Sequence, residues 1–209
     1  MGRTAHGPIG ICCVVRTSSR MRKHIRLRYF CSPYHQDSAL FPFIDQSGRA
    51  AGFARDDPHA AKLEKLETLL ARAAPPDEDV ALLADLLSLP ASERHPLPNL
   101  SPQRKKERTL EALLRQLEGL ARQQPVTMVF EDAHWIDPTS RELLDLTAER
   151  VRNLAVLLIV TFRPEFQPPW TGATGPLWLS RSLAARRCPT RLSNRSPIVP
   201  TACRYLSRN

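Results

Sequence analysis

"VTMVFEDAHWIDPTSRELLDL", residues 126–146, decides how this chain is read. An apolar run from Val126 to Phe130 ends abruptly in two adjacent acids, Glu131 and Asp132. The run suits a short buried strand, and the spacing after Pro138 suits a helix over about 138–152. A buried strand that carries carboxylates at its tip presents them to something, and a metal-bound phosphate is the first candidate. A third acid, Asp137, reads differently. It caps the following helix, Pro138 takes the first turn where a missing N–H costs nothing, and Glu142 favours the positive end of the dipole.

Working outward, "AVLLIVTF" (155–162) is a second strongly apolar strand. Strand, helix and strand in that order imply parallel strands in one sheet, covered by helices on both faces. Ligands of open parallel sheets sit at the carboxyl ends of the strands. Here those ends carry Glu131 and Asp132 on one strand, and Thr161 with Arg163 on the next. Acids so placed can hold Mg²⁺ directly or through water and orient an attacking water, while a guanidinium neutralises a terminal phosphate. The plainer alternative is a surface acid pair and a helix-capping arginine.

Upstream, "IRLRYFC" (25–31) alternates apolar and charged residues, as a half-buried strand does. Asp37 or Ser38 can cap a short helix over "ALFPFIDQ", with Pro42 limiting it to a turn or two, and "GRAAGFARDDP" reads as a loop. "AAKLEKLETLLARAA" (60–74) and "DVALLADLLSL" (79–89) are amphipathic helices, and "PASERHPLPNLSP" is a linker. A long helix over about 102–122 follows, with Ser101 as cap and a stripe of Leu110, Leu113, Leu114, Leu117 and Leu120. Arg104, Lys105, Lys106 and Arg108 crowd its first turns, the wrong charge for that end of a helix. They read as an anion or partner site, or as a solvated basic face.

The 209 residues are 42% apolar, enough to bury a core, so global disorder is excluded. The formal charge of +9 is uneven: residues 1–36 and 166–209 contain no acid, and all 21 acids lie in 37–165. Basic tails can bind nucleic acid or an anionic membrane, but these lack Lys/Arg blocks and aromatic interleaving, which argues against both. Five cysteines (Cys12, Cys13, Cys31, Cys188, Cys203) form no C-x-x-C pair, against a disulfide framework or a zinc site. No apolar stretch approaches a membrane span, and the apolar run after Arg3 lacks a cleavage pattern, so the cytoplasm is the expected location.

At these residues the chain resembles a known family. "VTMVFEDAHWIDPTSRELLDL" looks like the Walker B segment of P-loop ATPases of the signal-transducing, AAA-like (STAND) branch. That branch includes ATPase regions attached to bacterial class III adenylate or guanylate cyclases and to large transcriptional activators. "LLIVTFRPEF" looks like the next strand with its arginine sensor. "LRYFCSPYHQDSALFPFIDQ" and "KKERTLEALLRQLEGLARQQPV" resemble the family's second strand and helix and the helix entering Walker B. The resemblance covers about 24–170 and implies an α/β fold, a partial P-loop NTPase-type parallel sheet flanked by helices. It implies ATP and Mg²⁺ as ligands, with Glu131 and Asp132 holding Mg²⁺, Asp132 polarising water and Arg163 sensing the γ-phosphate. Glu131 stands where the broader superfamily has Asp. A cyclase or DNA-binding output domain is the partner implied in a full-length member.

The glycine-rich phosphate loop that such an ATPase needs is missing from the sequence: none of the eight glycines precedes a lysine. "GRTAHGPI" has two glycines at the right spacing, but Pro8 and Ile9 stand where Lys and Ser/Thr belong. "IGICCVV" (9–15) is apolar enough for a strand, so a central strand is expected to survive. After about Thr171 no further helix or strand is legible. The expectation is therefore an atypical basic segment at 1–23, a partial ATPase domain at 24–170 and an irregular basic tail at 171–209. The ends are read as coming from a shifted frame or truncated gene. Two alternatives carry different tests: a non-catalytic α/β interaction domain, and a basic nucleic-acid-binding protein with steeply salt-dependent affinity.

Overall fold

A computed structural model of the chain describes the backbone of residues 10–15 and the whole of 24–90, 94–163 and 165–167. Four strands form one sheet: β1 (Gly10–Val15), β2 (Ile25–Phe30), β3 (Val126–Glu131) and β4 (Val156–Phe162), in the order β1-β4-β3-β2. The strands β2, β3 and β4 are parallel, as the strand–helix–strand pattern requires. The β1 strand differs from expectation. It lies at the edge of the described sheet and runs antiparallel to β4 rather than occupying the centre. An apolar, β-branched run favours a strand but fixes neither its place nor its direction.

Five helices accompany the sheet: α1 (Phe41–Ala51), α2 (His59–Ala71), α3 (Asp77–Leu86), α4 (Pro102–Gln123) and α5 (Pro138–Arg150). The caps read from sequence are present at α4 and α5: Ser101 Oγ accepts from Arg104 N–H at 3.3 Å, and Asp137 Oδ1 accepts from Ser140 N–H at 2.8 Å. The first helix is a correction. It spans 11 residues instead of a turn or two, and takes in residues read as loop. Pro42 falls in its first turn, where proline is tolerated, and the stop comes later at Gly52, whose φ of 70° closes the helix.

Alternation along the strands sorts the two faces of the sheet. Leu27, Tyr29, Val126, Met128, Phe130, Val156, Leu158 and Val160 project into one core with α1, α4 and α5. Tyr29 stacks on Phe130 at 4.4 Å, and Phe43 of α1 tilts against both rings. The α2–α3 pair forms an outer layer on α4, joined through Leu66, Leu70, Leu83 and Ala112. A cavity of about 70 Å³ between the layers is bordered by all five helices together with Leu27, Tyr29 and Met128. The described helices thus cover one face, not both. The second face carries Arg26, Arg28 and Phe30 of β2, Val129 and Glu131 of β3, and Leu157, Ile159 and Thr161 of β4. Apolar content at every strand position reads the same whether the covering elements are these helices or others, so it does not say which element lies on which face.

The basic start of α4 is a part-solvated face whose charges are paired rather than a free anion site. Lys105 pairs with Asp85 of α3 at 2.6 Å, Lys106 with Glu142 of α5 at 2.5 Å, and Arg108 with Glu78 of α3 at 3.3 Å. Arg104 meets Glu107 within α4 at 2.9 Å. These charges fasten α4 to its neighbours instead of waiting for a ligand. Among the described residues no helix is long and apolar enough to cross a membrane. The tail read as 171–209 lies outside the described residues, as do most of residues 1–23.

Candidate functional site

The parallel register sets Glu131 opposite Phe30 and carries Phe130 opposite Val160, so the carboxyl tips of β2, β3 and β4 end side by side. Glu131 and Asp132 close β3, and Arg163 follows the last residue of β4. Asp132 then leaves the extended conformation at once. Its φ of 56° and ψ of 43° are left-handed, a region that Asp tolerates better than most side chains. Its N–H is held by Thr161 Oγ1 of β4 at 3.1 Å. A non-glycine residue bent this way at a strand tip is the kind of strain that clusters at functional sites.

The bend reverses the chain into a short 3-10 turn, Ala133–Trp135, and brings four groups near one another. The Arg163 guanidinium lies over the Trp135 ring, 5.7 Å from its centroid. His134 packs at 5.0 Å from the same ring. Both ring nitrogens of His134 are shielded from water and lack a hydrogen-bond partner. Burial, and secondarily the Arg163 charge, hold His134 below its ordinary pKa, while Asp132 and Glu165 pull the other way. The Cys31 thiol at the tip of β2 is pushed up to about 12 by burial, then by the charges of Asp137 and Asp132. Asp132, His134 and Arg163 therefore share one electrostatic neighbourhood.

Glu131 faces elsewhere. Both Arg28 Nε, at 3.0 Å, and Arg28 Nη2, at 2.5 Å, donate to its Oε1. The guanidinium beside Glu131 is therefore Arg28 of β2, a residue the sequence reading treated only as the polar half of an alternating strand. Asp137 is a structural cap, 1% exposed, as expected. His134 was also missed. The only signal for it was its place two residues after Asp132.

These groups fit a divalent cation only in part. Mg²⁺ is usually held by one or two carboxylates together with phosphate oxygens and water. Asp132 can supply one such oxygen, but Glu131 is already neutralised by Arg28. Among the described residues no three His, Cys, Asp or Glu side chains converge on one point. The apolar cavity offers no alternative, because neither the acids nor Arg163 line it.

A segment of the chain is 42% identical over 82 residues to an uncharacterized protein of Rhizobium meliloti (strain 1021), covering 39% of this chain and 8% of that protein. The aligned part is thus a small fraction of its relative's length. No solved structure matches the chain. The family model described as "AAA ATPase domain" matches residues 16–160, about the stretch that carries β2 to β4 and all five helices. The chain belongs to the AAA ATPase domain family.

Proposed function

We propose that this chain is the nucleotide-binding part of a signal-transducing regulatory ATPase of the STAND type, with hydrolysis weak or absent. The observation that carries the reading is the clustering of Asp132 and Arg163 around His134 at the carboxyl tips of adjacent parallel strands, in a chain of an ATPase family. In this reading Asp132 polarises the attacking water and Arg163 meets the γ-phosphate. Glu131 and Asp132 are the acids that would hold Mg²⁺, whose chemistry is to neutralise charge on the transferred phosphoryl group. The backbone bend at Asp132 is tied to β4 by its N–H, which donates to Thr161 Oγ1.

Weak turnover follows from the sequence. Phosphoryl transfer relies on positioned charges, and the lysine with its cradle of backbone N–H groups is a major part of them. The sequence contains no Gly-Lys pair to supply it. In a longer protein a cyclase or DNA-binding output domain would read the nucleotide state, and the cytoplasm is the expected compartment.

A second reading, a non-catalytic interaction domain on the same scaffold, is favoured by the Arg28–Glu131 pair, which occupies one of the acids that a catalyst would need. Steady-state ATP hydrolysis separates strong from weak catalysis. Turnover at or near background, unchanged in Asp132→Ala, is the expected result. Robust Mg²⁺-dependent turnover that vanishes in Asp132→Ala would overturn the claim of weak activity.

A further inference from the structure

The cavity between the sheet and the helical layers is bordered by no charged side chain, the strand-tip acids and Arg163 included. Leucines of α2, α3 and α4, Phe43 of α1 and Met128 of β3 make most of its wall. Four polar side chains interrupt that wall: Gln46 and Ser47 of α1, Gln116 of α4 and Thr147 of α5. The Thr147 hydroxyl donates to the Leu143 carbonyl at 2.7 Å, and Gln46 and Ser47 are only half-buried. Gln116 differs. Its Oε1 is shielded from water and accepts no hydrogen bond from any described residue. The Tyr29 phenol, also on the border, is kept neutral by burial, which raises its pKa.

Size and chemistry together select a ligand. An apolar cavity of about 150 Å³ holds benzene, and one water needs about 10–15 Å³. On that scale the cavity of about 70 Å³ holds roughly three or four non-hydrogen atoms. Uncharged walls exclude an ion, because nothing there would offset its desolvation. A buried acceptor without a donor is destabilising, and a ligand that donates to it removes that penalty. We propose that this cavity is a binding site for a short-chain alcohol, whose hydroxyl donates to Gln116 Oε1 and whose carbon chain fills the leucine-lined remainder. The site is separate from the nucleotide site and does not depend on it. Water alone would serve the oxygen but leave most of the apolar wall without close contacts. Ala50, exposed at the border on α1, marks the path of entry.

The test is a methyl NMR titration of the full chain with 2-propanol and with 2-chloropropane, which replaces the hydroxyl by a group that donates nothing. Both probes are expected to shift the Met128 and Leu143 methyls saturably and to leave the exposed Leu146 methyls in place. In Gln116→Met, 2-propanol is expected to bind about tenfold more weakly, because only the alcohol loses a hydrogen bond. The same variant is expected to bind 2-chloropropane no more weakly than the wild type does. Gln116→Asn draws the acceptor back by one methylene and decides the question in the same way if Gln116→Met does not fold. Absence of saturable shifts with both probes, or an equal change for both probes in the Gln116 variant, overturns the proposal. Saturable shifts with 2-chloropropane alone overturn it as well, since the cavity would then be apolar space without recognition of a hydroxyl.

Discussion

The Asp137 carboxylate accepts the Leu40 N–H at 3.1 Å, across 97 residues of chain, through the same oxygen that caps α5. Leu40 is left-handed, with φ of 59°, so its N–H is turned away from α1 and toward Asp137. One carboxylate thus ties the β2–α1 connection to the start of α5, directly behind the acidic strand tip. Asp137→Ala removes both charge-assisted bonds from a buried site and is expected to cost about 2–3 kcal/mol in urea denaturation. Asp137→Asn keeps an acceptor oxygen and is expected to cost less than half as much. Equal losses in the two variants would mean that the oxygen does not do this.

The ion pair between α3 and α4 is asymmetric. Asp79 is 1% exposed and takes two bonds from Arg115, at 2.8 and 2.6 Å, whereas the Arg115 side chain is about a third exposed. Removing the arginine strands a buried carboxylate, and Arg115→Met is expected to destabilise by about 3–5 kcal/mol. Asp79→Leu leaves an arginine that can turn to water or to Glu111, so its loss is expected to be clearly smaller. Chemical denaturation of both variants checks the order.

Close approach fixes Gly119 on α4. A Cβ there would lie 2.6 Å from Ala73 Cβ and 2.7 Å from the Ala73 carbonyl oxygen, just past the end of α2. Neither atom can swing aside. Gly119→Ala is expected to lower stability by about 1–3 kcal/mol despite the better helix propensity of alanine. A stabilised Gly119→Ala would show that α2 can slide away from α4 at no cost.

Burial of the Cys31 thiol gives a pH dependence. Its pKa is raised from an ordinary value of 9.0 to about 12, so the native state holds the proton after the unfolded chain releases it. The resulting stability is fully present below pH 9 and is lost as pH rises toward 12. Tyr29, also buried, shifts the same way. Unfolding free energy is expected to fall with pH above 9, and Cys31→Ala is expected to flatten that slope. Peptide-resolved alkylation at pH 8 should leave Cys31 unlabelled until denaturant is added.

Much of this fold was legible in the sequence because local patterns and packing agree. The leucine stripe of α4, the Ser101 and Asp137 caps and the apolar runs of β3 and β4 each have one simple solution. Failures came where the deciding partner is distant. Pro42 looked like an early stop for α1, yet it sits where a proline starts a helix, and the real stop is Gly52. The charges of Arg104 to Arg108 looked unmatched because Asp85, Glu78 and Glu142 are neighbours only in space. Arg28 was invisible as a site residue for the same reason: its contact with Glu131 spans 103 positions. His134 carried no periodic or motif signal, and it follows the left-handed turn at Asp132 into the field of both that acid and Arg163.

Calorimetric titration of ATP into the chain in the presence of Mg²⁺, on wild type and Arg163→Ala, tests the central claim most directly. The expected result is saturable binding to the wild type that weakens about tenfold when the charge-assisted contact from Arg163 is removed. Absence of binding, or equal affinity in the two proteins, would contradict a nucleotide site at the tips of β3 and β4.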